Sequence, residues 1–235
     1  TREDGAFTGY TNGAVAVTPT ASAVGRGSAS GAGSVAAAGG RGAGAMDTTG
    51  IPDTDAGFAV QAYAKRHLVP FGEYAPPGFS WFFRLASIPM SDFTAGPPLQ
   101  PPLAVAGQRL AMTICYEDLF GEELIRALPA ATVLVNLSNT AWFGDSLAQP
   151  QHLQISRLRA LETGRPMLRA TNTGMTAAIA ADGTVSATLP PFTTAALVVD
   201  VQGRSGATPY VRYGNTAAVT LALAALLIGR RRKSR

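Results

Sequence analysis

The chain has 235 residues, which is enough for one domain with a sizeable core. Hydrophobic residues make up 46% and charged residues only 14%, a balance typical of a chain that keeps part of its surface against lipid or another segment. The net charge of +4 depends on the basic end, Arg230 to Arg235; the rest is close to neutral, so we predict no nucleic-acid partner. A single cysteine rules out an internal disulfide.

The first part of the chain gives weak signals. Thr1 to Gly5 shows neither an initiator Met nor a signal-peptide pattern, so we expect a fragment of a longer protein. A short strand is predicted around Val15 to Val17. The tract Ala21 to Gly44 is almost entirely Gly, Ala and Ser, which predicts a flexible insertion at about residues 21–50.

From residue 58 onward strands and helices alternate. The predicted strands are Phe58 to Tyr63, Arg109 to Cys115, Thr132 to Leu137, Met167 to Ala170, Met175 to Ala180, Thr184 to Leu189 and Ala196 to Val201. Asp182-Gly183 predicts a hairpin turn. A long loop rich in proline and aromatic residues is expected between the first two strands, up to Pro102.

Two helices are predicted between the strands. One covers Glu122 to Leu128 and the other Gln149 to Gly164, where Gly164 and Pro166 end it. The second should bury a face formed by Ile155, Leu158 and Leu161. This order of elements predicts an α/β layered fold with its chemistry at the strand ends.

The carboxy-terminal segment is apolar and ends in basic residues. Asn215 to Gly229 is uncharged but shorter than the ~20 residues that span a bilayer, and Tyr210 to Gly214 brings it close. The run from Arg230 to Lys233 argues against the alternative of a buried core helix. We predict a transmembrane helix with a basic cytoplasmic tail over residues 210–235, and a domain over residues 1–209 on the opposite face.

Cys115 is the candidate nucleophile. It closes a predicted strand and precedes a turn, where backbone N–H groups can stabilise a thiolate and a developing oxyanion. The alternative is a small buried hydrophobe. A thiol needs a base or a cation: His67 and His152 offer a Cys-His pair, whereas a carboxylate with Lys65, one of only two lysines, offers another arrangement.

Three segments resemble apolipoprotein N-acyltransferase, a membrane family of the nitrilase superfamily. They are Tyr63 to Tyr74 (YAKRHLVPFGEY), Ile114 to Glu117 (ICYE) and Ser138 to Gly144 (SNTAWFG), in the order that the family has them. The resemblance runs from about Phe58 to the end of the chain. It implies a partial αββα nitrilase-like sandwich on the periplasmic side of the bacterial inner membrane.

The resemblance also implies roles for residues. Cys115 is the nucleophile, Lys65 the stabilising cation and Glu73 a partner that orients Lys65, with Tyr116 and Glu117 as accessory residues. The implied reaction moves an acyl chain from a phospholipid, through a thioester, to the amino terminus of an apolipoprotein. The implied site uses no metal or organic cofactor. The family's general-base glutamate has no counterpart here, so we expect it in a missing amino-terminal portion and expect the isolated chain to have low activity.

Several residues keep more than one interpretation. Asn139 and Trp142 should line the same crevice as Cys115, although a turn-forming role is also open for Asn139 and core packing for Trp142. An aromatic cluster, Phe79 and Trp81 to Phe83, is either core or a lid that faces lipid. The two histidines are expected to be structural. A soluble nitrilase-like amidase and a non-catalytic, membrane-tethered domain remain as competing functions.

Overall fold

The structure is a computed structural model that describes residues 2–3, 6–7, 13–19, 35–37, 58–76, 78 and 93–233. The aromatic cluster of residues 79–83 lies outside the described residues, as does most of the Gly/Ala tract. Within that tract the described residues Val35–Ala37 form a strand rather than the predicted loop. A small ribbon, β1 (Arg2–Glu3) paired with β2 (Ala6–Phe7), stands at the start of the chain.

A six-stranded sheet forms the centre of the fold, in the order β11-β10-β9-β8-β7-β6. Its strands β7, β8 and β9 are parallel, and the outer strands pair antiparallel. The strands are β6 (Leu103–Val105), β7 (Gln108–Ile114), β8 (Val133–Ser138), β9 (Met167–Thr171), β10 (Ala177–Ile179) and β11 (Val185–Thr188). The bounds of β7 to β11 confirm the corresponding predicted strands to within a few residues, whereas β6 was not predicted.

The central strands are apolar on both faces, which is why their sequences read as continuous hydrophobic runs. Along β8, Val133 and Val135 point to one core, whereas Leu134 between them points to the other. One core lies between the sheet and the helices. The other lies between the sheet and a second sheet.

The second sheet has three strands in the order β4-β3-β5: β3 (Gly13–Pro19), β4 (Val35–Ala37) and β5 (Phe58–Ala64). It packs on the six-stranded sheet through the fully buried Ala14 and Ala16, which contact a core that includes Leu110 and Met112. Two sheets face to face with helices outside one of them form part of an αββα sandwich, as predicted.

Helix α1 (Gly121–Leu124) and helix α2 (Ala148–Thr163) follow β7 and β8. Gly164 ends α2 in the left-handed conformation with φ 64°, as its sequence predicts. The predicted buried face of α2 is wrong, because Leu158 and Leu161 are exposed. Its buried residues are mostly polar instead: Gln149, His152, Leu153, Ser156, Ala160 and Thr163.

No regular strand forms over Ala196 to Val201, so that prediction is wrong; the residues run as an extended connection to α3 (Pro209–Tyr213). Gly214, with φ 54°, separates α3 from α4 (Thr216–Lys233). The predicted lengthening of one helix back to Tyr210 is therefore also wrong. Within the described residues, no helix combines the length and the apolar character needed to cross a membrane.

Candidate active site

Cys115 stands where β7 ends and a single turn of 3-10 helix, Cys115–Leu119, begins. Its φ is +58°, a left-handed conformation that costs a residue with a side chain roughly 1–2 kcal/mol. The residue is half-buried, so its thiol lies neither in the core nor in open solvent. A strained, accessible thiol at the end of a parallel strand is the geometry that the sequence predicts for a nucleophile.

Lys65 follows β5 and is only 1% exposed. Its Nζ donates to Glu73 Oε1 at 2.8 Å and to Oε2 at 2.7 Å, and the backbone N–H of Val69 also donates to Glu73 Oε2 at 2.8 Å. Nζ lies 5.4 Å from the ring centroid of Tyr116, the residue after the cysteine. The predicted pairing of Glu73 with Lys65 is confirmed, and this pair lies beside the Cys115 turn.

The pKa of the Cys115 thiol is raised above its ordinary value. Burial is the main cause; the Lys65 ammonium and the backbone N–H of Tyr116 oppose it, and the charges of Glu73 and Asp118 add to it. The Lys65 ammonium thus favours negative charge at the sulfur, as expected of a stabilising cation, but burial has the larger effect on the thiol pKa. Because Glu73 lies next to Lys65, its negative charge offsets part of the ammonium's effect, and a thiol with a raised pKa needs a base.

Glu117 connects the Lys65 segment to the Cys115 turn. Its Oε1 accepts from the backbone N–H groups of Arg66 at 2.7 Å and His67 at 2.9 Å. Its Oε2 accepts from the N–H of Ile114 at 2.7 Å and from the hydroxyl of Tyr63 at 3.0 Å. Burial nevertheless raises the pKa of this carboxyl group, against the effect of the four donors. Glu117 therefore holds the Lys65 segment and the Cys115 turn together.

Tyr116 fixes the other end of the same segment. Its hydroxyl donates to the carbonyl oxygen of Leu68 at 2.8 Å, and burial raises the pKa of the phenol. The phenol is therefore a neutral hydrogen-bond donor at physiological pH.

Both histidines have structural partners, in line with the prediction. The ring of His67 stacks on Phe120 with centroids 3.7 Å apart, and its Nδ1 lies 3.5 Å from Glu123 Oε1. Nε2 of His152 is 2.8 Å from Oδ1 of Asp118, inside the core. Neither contact involves the Cys115 sulfur.

The predicted residues after β8 lie at the same edge of the sheet as Cys115, because β7 and β8 are parallel. Asn139 forms a turn: its Oδ1 accepts from the N–H of Ala141 at 3.2 Å and from Nδ2 of Asn172 at 2.8 Å. Trp142 is 83% exposed, so its interpretation as core packing is wrong. The structure gives neither residue a contact with Cys115.

A buried polar network beneath the turn was missed by the sequence reasoning. It contains Asn136, Arg169, Asp118, Ser156 and His152, which come from three different elements and the turn itself. Its only sequence signal was polar residues within otherwise apolar strands, Asn136 in β8 and Arg169 in β9. Within the described residues, no group of three or more His, Cys, Asp or Glu side chains could hold a metal ion.

Together these features define an α/β sandwich protein with a Cys-Lys-Glu cluster at the carboxyl ends of its parallel strands. The chain belongs to the carbon-nitrogen hydrolase family, whose model matches residues 47–210. This match includes the Lys65 segment and the Cys115 turn.

Curated relatives carry a more specific name. The chain is 57% identical over 180 residues to a protein of Ralstonia nicotianae named apolipoprotein N-acyltransferase, an alignment of 74% of this chain and 34% of that protein. A protein of Nitrosomonas europaea with the same name is 57% identical over 171 residues, or 72% of this chain and 34% of the relative. The chain thus spans about one third of these relatives' length.

Solved structures resemble the chain more distantly. A carbon-nitrogen hydrolase of Helicobacter pylori is 20% identical with a TM-score of 0.42, over 56% of this chain and 48% of that one. An amidase of the nitrilase superfamily from Nesterenkonia is 21% identical with a TM-score of 0.41, over 57% and 47% of the two chains.

Proposed function

We propose that this chain is the nucleophile-bearing part of an apolipoprotein N-acyltransferase. In this proposal the full-length protein moves an acyl chain from a phospholipid to the α-amine of a diacylglyceryl-cysteine at the start of an apolipoprotein. The observation that carries the proposal is the buried Lys65–Glu73 pair beside a half-buried Cys115. The name of the relatives, apolipoprotein N-acyltransferase, gives the acceptor and the acylated amine, and the phospholipid donor is what the resemblance of the motifs implies.

In the first step the Cys115 sulfur attacks the ester carbonyl of the phospholipid. A C–S bond forms, the ester C–O bond breaks, and the lysophospholipid leaves with the proton that a base took from the thiol. The Lys65 ammonium and the N–H of Tyr116 stabilise the negative charge that develops on the carbonyl oxygen. Both groups already act favourably on negative charge at the sulfur, since both lower the pKa of the thiol.

In the second step the apolipoprotein amine attacks the thioester. A C–N bond forms, the C–S bond breaks, and the base takes the amine proton while the sulfur leaves as a thiolate. Covalent catalysis suits this exchange because the two lipids can use one site in turn.

The base in this proposal is a carboxylate beyond those that surround Cys115. Glu117 accepts four hydrogen bonds, and Asp118 accepts from Ser156 at 2.7 Å and pairs with His152. Glu73 is paired with Lys65. Each of these carboxylates is already engaged, so the proton acceptor is expected outside this cluster.

The membrane part of the proposal rests on α4. Its apolar side chains stand in solvent, including Leu221, Leu226 and Ile228, all more than half exposed, and basic residues follow. The apolar stretch Thr216 to Gly229 is about 21 Å long, shorter than the ~30 Å hydrocarbon core. We propose that α4 enters the inner membrane, that its basic end lies on the cytoplasmic side, and that the sandwich lies on the periplasmic side.

The proposal is tested with membranes that carry the full-length protein, a phospholipid labelled in its acyl chain, and a diacylglyceryl-cysteine peptide. Mass spectrometry of the peptide should show the label on its α-amine. Cys115→Ala should abolish this transfer, whereas Ser186→Ala, which removes one hydroxyl from the distant strand β11, should leave it unchanged. Absence of the amide product with the unmutated protein would refute N-acyl transfer.

A further inference from the structure

The left-handed conformation of Cys115 needs something to hold it. Asn136, fully buried in the middle of β8, directs its Nδ2 to the carbonyl oxygen of Cys115 at 2.8 Å. The same Nδ2 also donates to Thr113 Oγ1 at 3.0 Å, on the strand that leads into the turn. One amide group thus holds both the start of the turn and the strand before it.

The orientation of the Asn136 amide is itself determined by its neighbours. Its Oδ1 accepts from Ser138 Oγ at 2.6 Å and from Arg169 Nη1 at 3.0 Å. Because both partners donate, they require an oxygen at that position, and the amide nitrogen must then face Cys115.

Burial of the Arg169 side chain at this position carries a cost in stability. It is 2% exposed, and its Nε and Nη2 are buried without a hydrogen-bond partner. Burial also lowers the pKa of its guanidinium, against the effect of the charge of Asp118. A buried charge with unpaired donors is a poor way to stabilise a core, since an apolar side chain of similar size is often at least as stabilising. The presence of Arg169 is better explained by its hydrogen bond to Asn136 Oδ1, which orients the Asn136 amide.

The network closes on the turn from which it starts. Arg169 Nη1 also lies 3.0 Å from Ser156 Oγ, and the Ser156 hydroxyl donates to Asp118 Oδ2 at 2.7 Å. Arg169 Nη1 is 3.6 Å from the same carboxylate oxygen. Asp118 belongs to the Cys115–Leu119 turn, so the turn is held at its first residue by Asn136 and near its last by Ser156 and Arg169.

We propose that Asn136 and Arg169 are positioning residues that clamp the Cys115 turn from the interior, so that the sulfur stays in line with Lys65 and the N–H of Tyr116. The proposal deepens the proposed function, because it takes Cys115 as the nucleophile, but it concerns the geometry of the thiol and not the identity of its substrates. Asn136 and Arg169 act through Cys115 and touch no substrate.

The test measures the reactivity of Cys115 toward iodoacetamide as a function of pH, in the full-length protein. Mass spectrometry of the peptide that contains Cys115 isolates this thiol from any other. The first variant is Asn136→Leu, a neutral side chain of similar size. The second variant is Asn136→Ala, also neutral, which is used for the same measurement if the leucine variant does not fold. The matched control is Thr113→Val, which removes the other acceptor of Nδ2 and leaves the bond to Cys115 in place.

Without the clamp the sulfur moves away from the two groups that lower its pKa, so the pH midpoint of alkylation should rise. We expect the rate at pH 7.5 to fall about tenfold, which corresponds to one pKa unit, in either Asn136 variant. The alkylation rate of Thr113→Val should stay within about twofold of that of the unmutated protein. This variant also loses a buried hydrogen bond, so its unfolding temperature should fall about as much as that of the Asn136 variants. A folded Asn136 variant with the unmutated midpoint, or an equal shift in the control, would overturn the proposal.

This readout separates the two proposals. If acyl transfer to a peptide were absent but the alkylation results held, the clamp would stand and the proposed function would fall. If acyl transfer were present but the Asn136 variants had the same alkylation profile as the unmutated protein, the proposed function would stand and the clamp would fall.

Discussion

The Cys115 turn has two sides that are built differently. On the outer side lie Lys65 and Glu73, which form an ion pair and act in opposite directions on the pKa of the thiol, and Glu117, which accepts from the backbone of the Lys65 segment. On the inner side lie Asn136, which donates to the carbonyl oxygen of Cys115, and Arg169, whose Nη1 is 3.6 Å from the Asp118 carboxylate of the same turn. The ion pair beside the sulfur and the hydrogen bond to the Cys115 backbone therefore lie on different faces of one turn, and Asp118 also raises the pKa of the thiol from the inner side.

This division shows how a strained nucleophile can be kept in place without lowering its own pKa. Burial raises the pKa of the thiol, and on the outer side Lys65 opposes this rise while Glu73 adds to it. The outer pair is then suited to the charge that appears during the reaction, when an oxyanion forms nearby. Changes on the outer side should alter the rate and the thiol pKa through charge, whereas changes on the inner side should alter them through the position of the sulfur.

The largest effect is expected from Lys65→Met, which removes the ammonium and keeps the length of the side chain. Loss of one electrostatic contact to the oxyanion should slow formation of the acyl-cysteine by about 10²–10³-fold. The pKa of the Cys115 thiol should rise, because Lys65 lowers it in the unmutated protein. Single-turnover kinetics with labelled phospholipid measure the first effect. A rate within threefold of the unmutated protein would assign the oxyanion to other donors.

Glu117→Gln should have a smaller effect, mainly on stability. A glutamine offers one carbonyl oxygen, so its amide nitrogen must face donors at the other position, either Arg66 and His67 or Ile114 and Tyr63. We expect a loss of about 1–3 kcal/mol, measured by thermal unfolding in detergent. Unchanged unfolding would mean that Glu117 does not hold the two segments together.

The smallest effect is expected from Glu73→Gln, which should change the alkylation rate and the acyl-transfer rate in opposite directions. Removal of the Glu73 charge should lower the pKa of the Cys115 thiol, because that charge raises it. Alkylation at pH 7 should become about threefold faster, while acyl transfer becomes slower, since Lys65 loses the partner that orients it. Slower alkylation would show that Glu73 acts on the thiol by position and not by charge.

The same two sides explain what the sequence could and could not predict. Lys65 and Glu73 lie eight residues apart in one continuous segment, and Cys115 and Glu117 in another, so a resemblance in two short motifs was enough to find them. The inner side is assembled from β8, α2 and β9, three successive elements whose polar residues meet only when the two strands pair and the helix packs on them. Only the packing of the folded protein brings Asn136 and Arg169 together.

The errors in secondary structure have the same origin. The apolar residues Leu158 and Leu161 predicted a buried helix face, but α2 turns its polar residues inward because Ser156 and His152 complete the network around Asp118. Near the end of the chain, the N–H of Asn215 donates to Glu122 Oε1 at 2.6 Å, and the break at Gly214 separates two helices that looked like one. Hydrophobic periodicity contains no information about such long-range polar contacts.

The central claim is that Cys115 carries the acyl chain, and one measurement tests it directly. Full-length protein is incubated with labelled phospholipid in the absence of an acceptor, and the reaction is quenched in acid. The protein is then digested, and the mass of the peptide that contains Cys115 is measured by mass spectrometry. The account predicts a mass increase of one acyl chain on that peptide, removed by hydroxylamine and absent in Cys115→Ser under the same treatment. An unmodified Cys115 peptide, with the acyl label on another residue, would contradict it.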